Sequence, residues 1–172
     1  MKTIILFRHG KSDWGADHAA DRDRPLAARG RKAAATMGAL LARLGQVPDR
    51  ALTSPALRAR ETFRLAAEAG GWTCPIEIVP GLYDGSTVDV LERVRAEADA
   101  TSSLLLAGHE PTWSQLASEL VGGGAVRFPT AALLRVDVDV ETWSAVDAGR
   151  GVLVWFLLPR LVQAAGLELG AS

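Results

Sequence analysis

The sequence predicts a layered α/β fold with a mainly parallel central sheet. Short, apolar, β-rich runs alternate along the chain with amphipathic helical patterns, which is typical of parallel strands covered by helices. The chain has 172 residues, of which 48% are apolar and 23% are charged, as expected of one globular domain. Because no repeat or linker divides it, we expect a single domain over residues 1–166, with a loose tail over 167–172.

Six segments are predicted to be strands. The first, Lys2–Phe7, is short and almost wholly apolar, as expected of a strand buried on both faces. The other five are Ala51–Thr53, Ile76–Val79, Ser103–Ala107, Ala132–Val138 and Gly151–Leu158.

Four helices are predicted between these strands. Ala27–Leu44 carries apolar residues at helical spacing and stops at Gly45. A second helix begins at Pro55, with Ser54 as its N-cap, and runs to about Ala69. The remaining two are Val88–Ala98 and a helix opened by Pro111.

The charge and cysteine content exclude several kinds of partner. With 19 basic and 20 acidic residues and no long basic stripe, no nucleic-acid partner is expected. A single cysteine, Cys74, excludes an internal disulfide and a cysteine-cluster metal site. The first apolar run, 4–7, is too short for a signal peptide or a membrane span. We therefore expect a cytoplasmic protein without membrane association, and a monomer by default.

Three separate segments place a basic or imidazole side chain just after a predicted strand. Arg8 and His9 follow the first strand, Arg58 follows the second, and His109 follows the fourth. In open α/β sheets, ligands bind at the carboxyl ends of the strands. Two arginines and two histidines meeting there can hold the oxygens of a phosphoryl group and attack its phosphorus without a metal. Each segment alone is a weak signal, and the prediction of phosphoryl chemistry depends on their combination.

The same segments resemble the histidine phosphatase superfamily, also called the phosphoglycerate mutase-like fold. Its Arg-His-Gly motif corresponds to residues 8–10, its Ser-Pro-x-x-Arg-x-x-x-Thr element to residues 54–62, and its Gly-His element to residues 108–109. The resemblance spans nearly the whole chain.

Within the superfamily, the chain looks most like the small SixA-type phosphohistidine phosphatases. Residues 8–14, 23–26 and 128–131 carry this likeness. Gly108 follows Arg58 by 50 positions, and the elements predicted in that interval already fill it. The resemblance implies a three-layer α/β/α fold without a cap insertion. An open, uncapped site would admit a phosphoryl group carried by a protein.

The resemblance also implies a role for each site residue. His9 would attack phosphorus and become a phosphohistidine intermediate, which water then hydrolyses. Arg8, Arg58 and His109 would hold the phosphoryl oxygens. Ser12 could add a hydroxyl contact or could equally form a turn. No metal ion or organic cofactor is implied.

The proton donor for the leaving group stays open at this point. Many members of the superfamily use a Glu in a Leu-x-Glu element, and this chain has Asp84 at about that place, just before Gly85. Asp84 could donate the proton or could be a turn residue. Glu110, beside His109, could be a helix-start residue or a second donor. If neither donates, phosphoramidates such as phosphohistidine remain feasible, because their nitrogen leaving group can already carry a proton.

These observations predict a metal-independent phosphatase whose substrate is phosphohistidine on a protein. One alternative is a broad phosphomonoesterase acting on small phosphate esters, which a working acid at Asp84 would favour. A second is a phosphate-binding module that has lost catalysis, which the presence of both histidines and both arginines argues against. A mutase is disfavoured because no insertion is available to hold a second phosphate.

Overall fold

A six-stranded sheet forms the centre of the computed structural model, which describes residues 1–166; the predicted tail lies outside them. The strands are β1 (Lys2–Arg8), β2 (Arg50–Thr53), β3 (Ile76–Ile78), β4 (Ser103–Gly108), β5 (Leu133–Val138) and β6 (Gly151–Leu157). They lie in the order β3-β2-β4-β1-β5-β6. Only β5 runs antiparallel to its neighbours, so the prediction of a mainly parallel sheet is confirmed.

Six α-helices connect or follow these strands. They are α1 (Ala28–Arg43), α2 (Leu57–Gly70), α3 (Gly81–Asp84), α4 (Thr87–Arg95), α5 (Thr112–Leu120) and α6 (Pro159–Ala164). Between α2 and β4 the chain forms only β3, α3, α4 and their connections, with no cap domain. Over the described residues, no helix combines the length and apolar character needed to cross a bilayer.

The helices cover both faces of the sheet. Because successive residues of a strand point to opposite faces, β1 contributes to two separate cores. Ile4 and Leu6 belong to the core that includes Trp113 of α5, whereas Ile5 and Phe7 belong to the core that includes Met37 of α1. The α4 and α5 helices therefore lie on one face, and α1, α2 and α6 lie on the other. The predicted three-layer α/β/α arrangement is confirmed.

The carboxyl ends of β1, β2 and β4 meet at one edge of the sheet. The register pairs Arg8 with Gly108 and Thr53 with Ala107, so the residues that follow these strands are close neighbours. Because β5 runs in the opposite direction, its first residue, Leu133, pairs with Phe7 at the same edge. The segment that leads into β5 therefore also borders this edge.

The predicted start of the second helix is wrong by two residues. The α2 helix begins at Leu57 with Ala56 as its cap, and Ser54 does not cap it. The backbone N–H of Ser54 donates instead to the Ala107 carbonyl at 2.9 Å, which continues the sheet past β2. Its hydroxyl accepts a 3.2 Å bond from the Ala56 N–H. Sheet pairing therefore overrides the local capping preference of serine at this point.

Two short helices, α3 and α6, were not predicted. Each is shorter than the stretch in which a helical hydrophobic period can be recognised. As a consequence, Asp84 is the last residue of α3, directly before Gly85, rather than part of an isolated turn.

Candidate active site

His9 lies just past the end of β1 and is only 8% exposed. Its Nδ1 atom is 2.6 Å from the carbonyl oxygen of Gly10. Because a carbonyl can only accept, this bond requires the proton on Nδ1 and leaves a lone pair on Nε2 when the ring is neutral. Burial, followed by the charges of His109, Arg58 and Arg8, lowers the pKa of His9 to about 3, although the bond to Gly10 opposes this. His9 is thus a neutral imidazole with one unprotonated nitrogen.

His109 occupies the matching position just past the end of β4. Its ring centroid lies 5.0 Å from that of His9, and the two rings are inclined by 53°. Its Nε2 atom is 2.8 Å from the hydroxyl of Ser54, and its Nδ1 atom is buried without a partner in residues 1–166. Burial and the charge of Arg58 lower its pKa to about 4. A buried ring nitrogen without a partner is what a site shows when a ligand supplies the missing contact.

Both predicted arginines are anchored by carbonyl oxygens of the main chain. Arg8 donates from Nη1 to the Phe128 carbonyl at 2.6 Å. Arg58, in the first turn of α2, donates from Nη1 to the Asp21 carbonyl at 2.7 Å. Each also has a buried Nε–H for which the described chain offers no acceptor. Each guanidinium group is therefore fixed in place while part of its donor set stays available for an anion.

A carboxylate that was not predicted, Asp21, lies beside Arg58. Its Oδ2 atom accepts from Arg58 Nη2 at 3.0 Å and from the Tyr83 hydroxyl at 3.0 Å, and its Oδ1 atom accepts from Arg24 at 2.7 Å. Burial raises the pKa of Asp21, but the Tyr83 hydrogen bond and the charges of Arg58 and Arg24 together hold it below its usual value. Asp21 is therefore ionised and shares Arg58 with whatever anion enters the site.

Tyr83 links this carboxylate to the histidines. Its ring meets that of His109 edge-on, with centroids 5.6 Å apart and planes at 84°. Burial and the neighbouring Asp21 carboxylate raise the pKa of Tyr83, so its hydroxyl stays protonated. The segment that was expected to bring Asp84 to the site brings its neighbour Tyr83 against His109.

The two candidate proton donors are placed differently. Asp84 is exposed, and its carboxylate makes no hydrogen bond or ion pair with any residue from 1 to 166. Glu110 is half-buried, and its carboxylate accepts from the Ser114 hydroxyl at 2.6 Å and the Ser114 N–H at 3.1 Å. Neither carboxylate is hydrogen-bonded to His9 or His109 in the described structure.

Ser12 is buried at 5% exposure and lies in an isolated bridge to Leu26. This bridge fixes the chain after the Arg-His-Gly segment. Within the part of the chain that the structure covers, no three His, Cys, Asp or Glu side chains are grouped so as to hold a metal ion.

The arrangement has a clear chemical capacity. His9 offers an unprotonated nitrogen, and the positive charges of Arg8 and Arg58 act directly on its ring. Guanidinium groups match the oxygens of a phosphoryl group, and an imidazole nitrogen can displace a leaving group from phosphorus. The structure thus brings His9, Arg8, Arg58 and His109 together, and their roles in catalysis stay predictions.

Comparison with known proteins agrees with this geometry. The family model described as histidine phosphatase superfamily (branch 1) matches residues 4–115. An uncharacterized protein of Mycobacterium tuberculosis is 38% identical over 167 residues, covering 90% of this chain and 100% of that protein. The phosphohistidine phosphatase SixA of Escherichia coli is 26% identical over 159 residues, covering 91% of this chain and 93% of SixA.

The fold is also similar to that of a solved SixA structure. The protein histidine phosphatase SixA complexed with tungstate superposes with a TM-score of 0.81 at 26% identity, covering 93% of this chain and 99% of that one. The family model spans the three strand ends that carry His9, Arg58 and His109. The chain belongs to the histidine phosphatase superfamily, branch 1.

Proposed function

We propose that this protein hydrolyses phosphohistidine on a protein through a phosphohistidine intermediate at His9. The observation that carries the proposal is the bond from His9 Nδ1 to the Gly10 carbonyl, which leaves Nε2 unprotonated and available. In the first step, Nε2 forms a bond to phosphorus as the phosphorus–nitrogen bond of the substrate breaks. The substrate imidazole, with a proton on its other ring nitrogen, departs as a neutral ring and takes the electron pair of the broken bond. Water then attacks the phosphorylated His9 and releases inorganic phosphate.

Arg8, Arg58 and His109 bind the phosphoryl oxygens in this proposal. Phosphoryl transfer depends on positioning and on neutralising the charge of the equatorial oxygens. The buried, unpartnered Nε–H groups of both arginines and the unpartnered Nδ1 of His109 supply such contacts. Ser12, whose backbone is fixed by a bridge to Leu26, adds a hydroxyl contact in this proposal.

The environment of the nearby carboxylates supports a phosphorus–nitrogen substrate. An ester needs a proton donor for its alkoxide leaving group. Asp21 is ionised and held by two arginines, Glu110 is held by Ser114, and Asp84 is exposed without a partner in the described chain. A phosphorus–nitrogen substrate needs no such donor, because its leaving group can already carry a proton, which in phosphohistidine lies on the other ring nitrogen.

Two further observations support a protein as the substrate. No cap domain lies between α2 and β4, so a phosphoryl group on a protein surface can reach the site. The chain is also similar to a protein named phosphohistidine phosphatase over nine-tenths of its length.

A second candidate function is the hydrolysis of small phosphate esters. It rests on Asp84, which adjoins Tyr83 and therefore lies on the segment that contacts His109. In that function, Asp84 would protonate the alkoxide.

The intermediate can be trapped to test the mechanism. Brief incubation with phosphoramidate followed by an alkaline quench should leave a phosphoryl group on His9 that is stable to base and lost in acid. Peptide mapping by mass spectrometry should locate the label, and His9→Ala should show neither label nor turnover. Turnover by His9→Ala, or a label on another residue, would contradict the mechanism.

The substrate class requires a direct comparison. A phosphohistidine protein, phosphoramidate and an aryl phosphate should be assayed side by side with the same preparation. We expect kcat/KM to be highest for the phosphohistidine protein and lowest for the ester. A kcat/KM for the ester far above those for both phosphorus–nitrogen compounds would favour the second candidate.

A further inference from the structure

A basic groove of about 910 Å³ opens beside Arg8. Its charged lining consists of one carboxylate, Glu110, and five cations: Arg8, Lys11, Arg29, Arg127 and Arg160. The whole chain carries a net charge of −1, so this groove departs sharply from the average surface. A local excess of one sign of charge in a concave surface attracts ligands of the opposite sign.

Four of these cations have no partner in the described structure. The side chains of Lys11, Arg29, Arg127 and Arg160 form no ion pair and no hydrogen bond with residues 1–166. Several arginines outside the groove are paired with carboxylates, among them Arg64, Arg93, Arg95 and Arg135.

The single carboxylate of the groove, Glu110, offsets only one of the five positive charges. Its negative charge acts on Arg8, but it forms no ion pair with any cation of residues 1–166. The groove therefore keeps most of its positive charge for an incoming ligand.

The arrangement of the cations indicates an extended ligand. They come from four different places: the segment after β1, the start of α1, the segment before β5 and α6. Three of these four side chains are exposed to solvent. A site for a single phosphate instead gathers its donors around one point. Apolar residues, including Val126, Pro129 and Leu158, also line the groove. Several charges together with apolar contacts suit a protein surface that carries several acidic side chains.

Arg8 connects this groove to the catalytic pocket. It lines the groove, and its charge also acts on His9. The groove therefore adjoins the place where a phosphoryl group would meet His9.

We propose that the basic groove binds acidic side chains that flank the phosphohistidine of the substrate protein. The proposal rests on the proposed function, because it assigns the groove to the same substrate. It makes the groove a determinant of which phosphorylated protein is accepted.

A catalytic test compares two phosphohistidine peptides, one flanked by Asp and Glu and one flanked by Ser and Gly. For the unmodified protein, we expect kcat/KM to be about tenfold higher for the acidic peptide at low salt. In the triple variant Arg29→Gln, Arg127→Gln and Arg160→Gln, this ratio should fall to about one, because rim charges mainly set the association rate. An unchanged ratio in the triple variant would overturn the proposal.

The chain offers a control variant that removes one positive charge outside the groove. Arg43 is exposed and unpaired in the described structure like Arg29, and it lies on the same helix. At a rise of 1.5 Å per residue, it is about 21 Å from Arg29. Arg43→Gln should keep the preference for the acidic peptide. If its kcat/KM ratio fell as far as that of the triple variant, net charge alone would explain the preference, and the groove proposal would be overturned.

Direct binding separates the groove from catalysis. The same acidic peptide with an unphosphorylated histidine should bind the unmodified protein and Arg43→Gln about tenfold more tightly than it binds the triple variant, as measured by fluorescence anisotropy at low salt. If no phosphohistidine peptide is hydrolysed, the proposed function fails. The difference in binding still shows whether the groove binds acidic side chains. Equal binding by all three proteins would overturn the groove proposal. So would strong binding of tripolyphosphate without binding of the acidic peptide, since it would assign the groove to a small polyanion.

Discussion

The imidazole rings of His9 and His109 lie with their centroids 5.0 Å apart, beside two guanidinium groups. Protonation of either ring would add a cation to a buried, already positive pocket. Burial and the neighbouring charges therefore lower the pKa of His9 to about 3 and that of His109 to about 4. The pocket holds two uncharged imidazoles where a phosphoryl group can meet them.

These pKa values predict how stability depends on pH. In the unfolded chain, a histidine titrates near pH 6.5, so below that pH the unfolded state binds more protons than the folded state. The free energy of unfolding should therefore fall as the pH drops below about 6.5, by up to about 1.4 kcal/mol per pH unit for each histidine. This contribution should level off below the folded pKa values of about 3 and about 4.

Urea unfolding at several pH values between 7.5 and 4.5 measures this dependence. A His9→Gln, His109→Gln double variant should show a shallower fall over that range, because it lacks both groups. The same slope in both proteins would show that other residues cause the pH dependence. In addition, NMR of the ring nitrogens should show no titration of His9 or His109 above about pH 5.

Ser54 is expected to position His109. Its hydroxyl bonds to His109 Nε2 at 2.8 Å and accepts from the Ala56 N–H, so Ser54→Ala leaves both groups buried without that partner. We expect the free energy of unfolding to fall by about 1–2 kcal/mol and kcat/KM to fall about tenfold. Ser103→Ala is a suitable control, because it also loses a bond, from the Asp49 N–H, but at the opposite end of β4. Equal loss of kcat/KM in both variants would indicate a general structural effect.

Removing the charge of Asp21 should strengthen phosphate binding. Its carboxylate competes with an entering anion for Arg58, while its backbone carbonyl keeps Arg58 Nη1 anchored in any variant. Asp21→Asn should lower the Kd for inorganic phosphate about threefold to tenfold, as measured by calorimetry. Asp23→Asn removes a nearby exposed carboxylate that makes no such contact and should have a smaller effect. Weaker phosphate binding by Asp21→Asn would mean that the carboxylate mainly orders Arg58.

The carboxylates Asp84 and Glu110 can be tested as proton donors with two substrates. A general acid typically contributes a factor of about 100 or more to the hydrolysis of a poor leaving group. Because neither carboxylate is hydrogen-bonded to a histidine in residues 1–166, we expect Asp84→Asn and Glu110→Gln to change kcat/KM for an alkyl phosphate only slightly. A large loss on the alkyl phosphate, with phosphoramidate hydrolysis retained, would identify the donor and support the esterase function.

Gly30 is expected to be essential for the close approach of α1 to the Arg-His-Gly segment. A Cβ atom at Gly30 would overlap the backbone of Lys11, and one at Gly10 would lie 2.7 Å from the Gly30 carbonyl oxygen. Gly30→Ala should lower the free energy of unfolding by about 2–3 kcal/mol and reduce activity, because the clash displaces backbone next to His9. Gly81→Ala, where a Cβ atom meets nothing within 4 Å, should have little effect. Thermal unfolding of both variants provides the comparison.

Much of the site could be predicted because parallel strands place their carboxyl ends together. His9 and His109 each follow a strand directly, and Arg58 follows a third by a few residues, so recognising the strands was enough to group them. Neither the bonds nor the charges of the site were needed for that step.

The residues around the predicted site depend on tertiary structure. Asp21 lies in a loop of acidic and basic residues, which by sequence alone suggests a solvated surface. It nevertheless contacts Arg58, 37 positions away in the sequence, and Tyr83, 62 positions away. The prediction of Ser54 as a helix cap is wrong for the same reason. Its hydroxyl bonds to His109, 55 positions away, and its backbone pairs with the sheet. Local patterns carry no information on such contacts.

The reversed direction of β5 has a consequence for how this scaffold can diversify. The segment that enters β5 lines the basic groove, and it holds the guanidinium group of Arg8 through the main-chain carbonyl of Phe128. Every amino acid carries that carbonyl, so exposed positions such as Arg127 can change while Phe128 stays buried in the core and Arg8 keeps its anchor. Loop grafting at positions 124–127 is therefore a direct route to variants with a differently lined groove and an unaltered nucleophile.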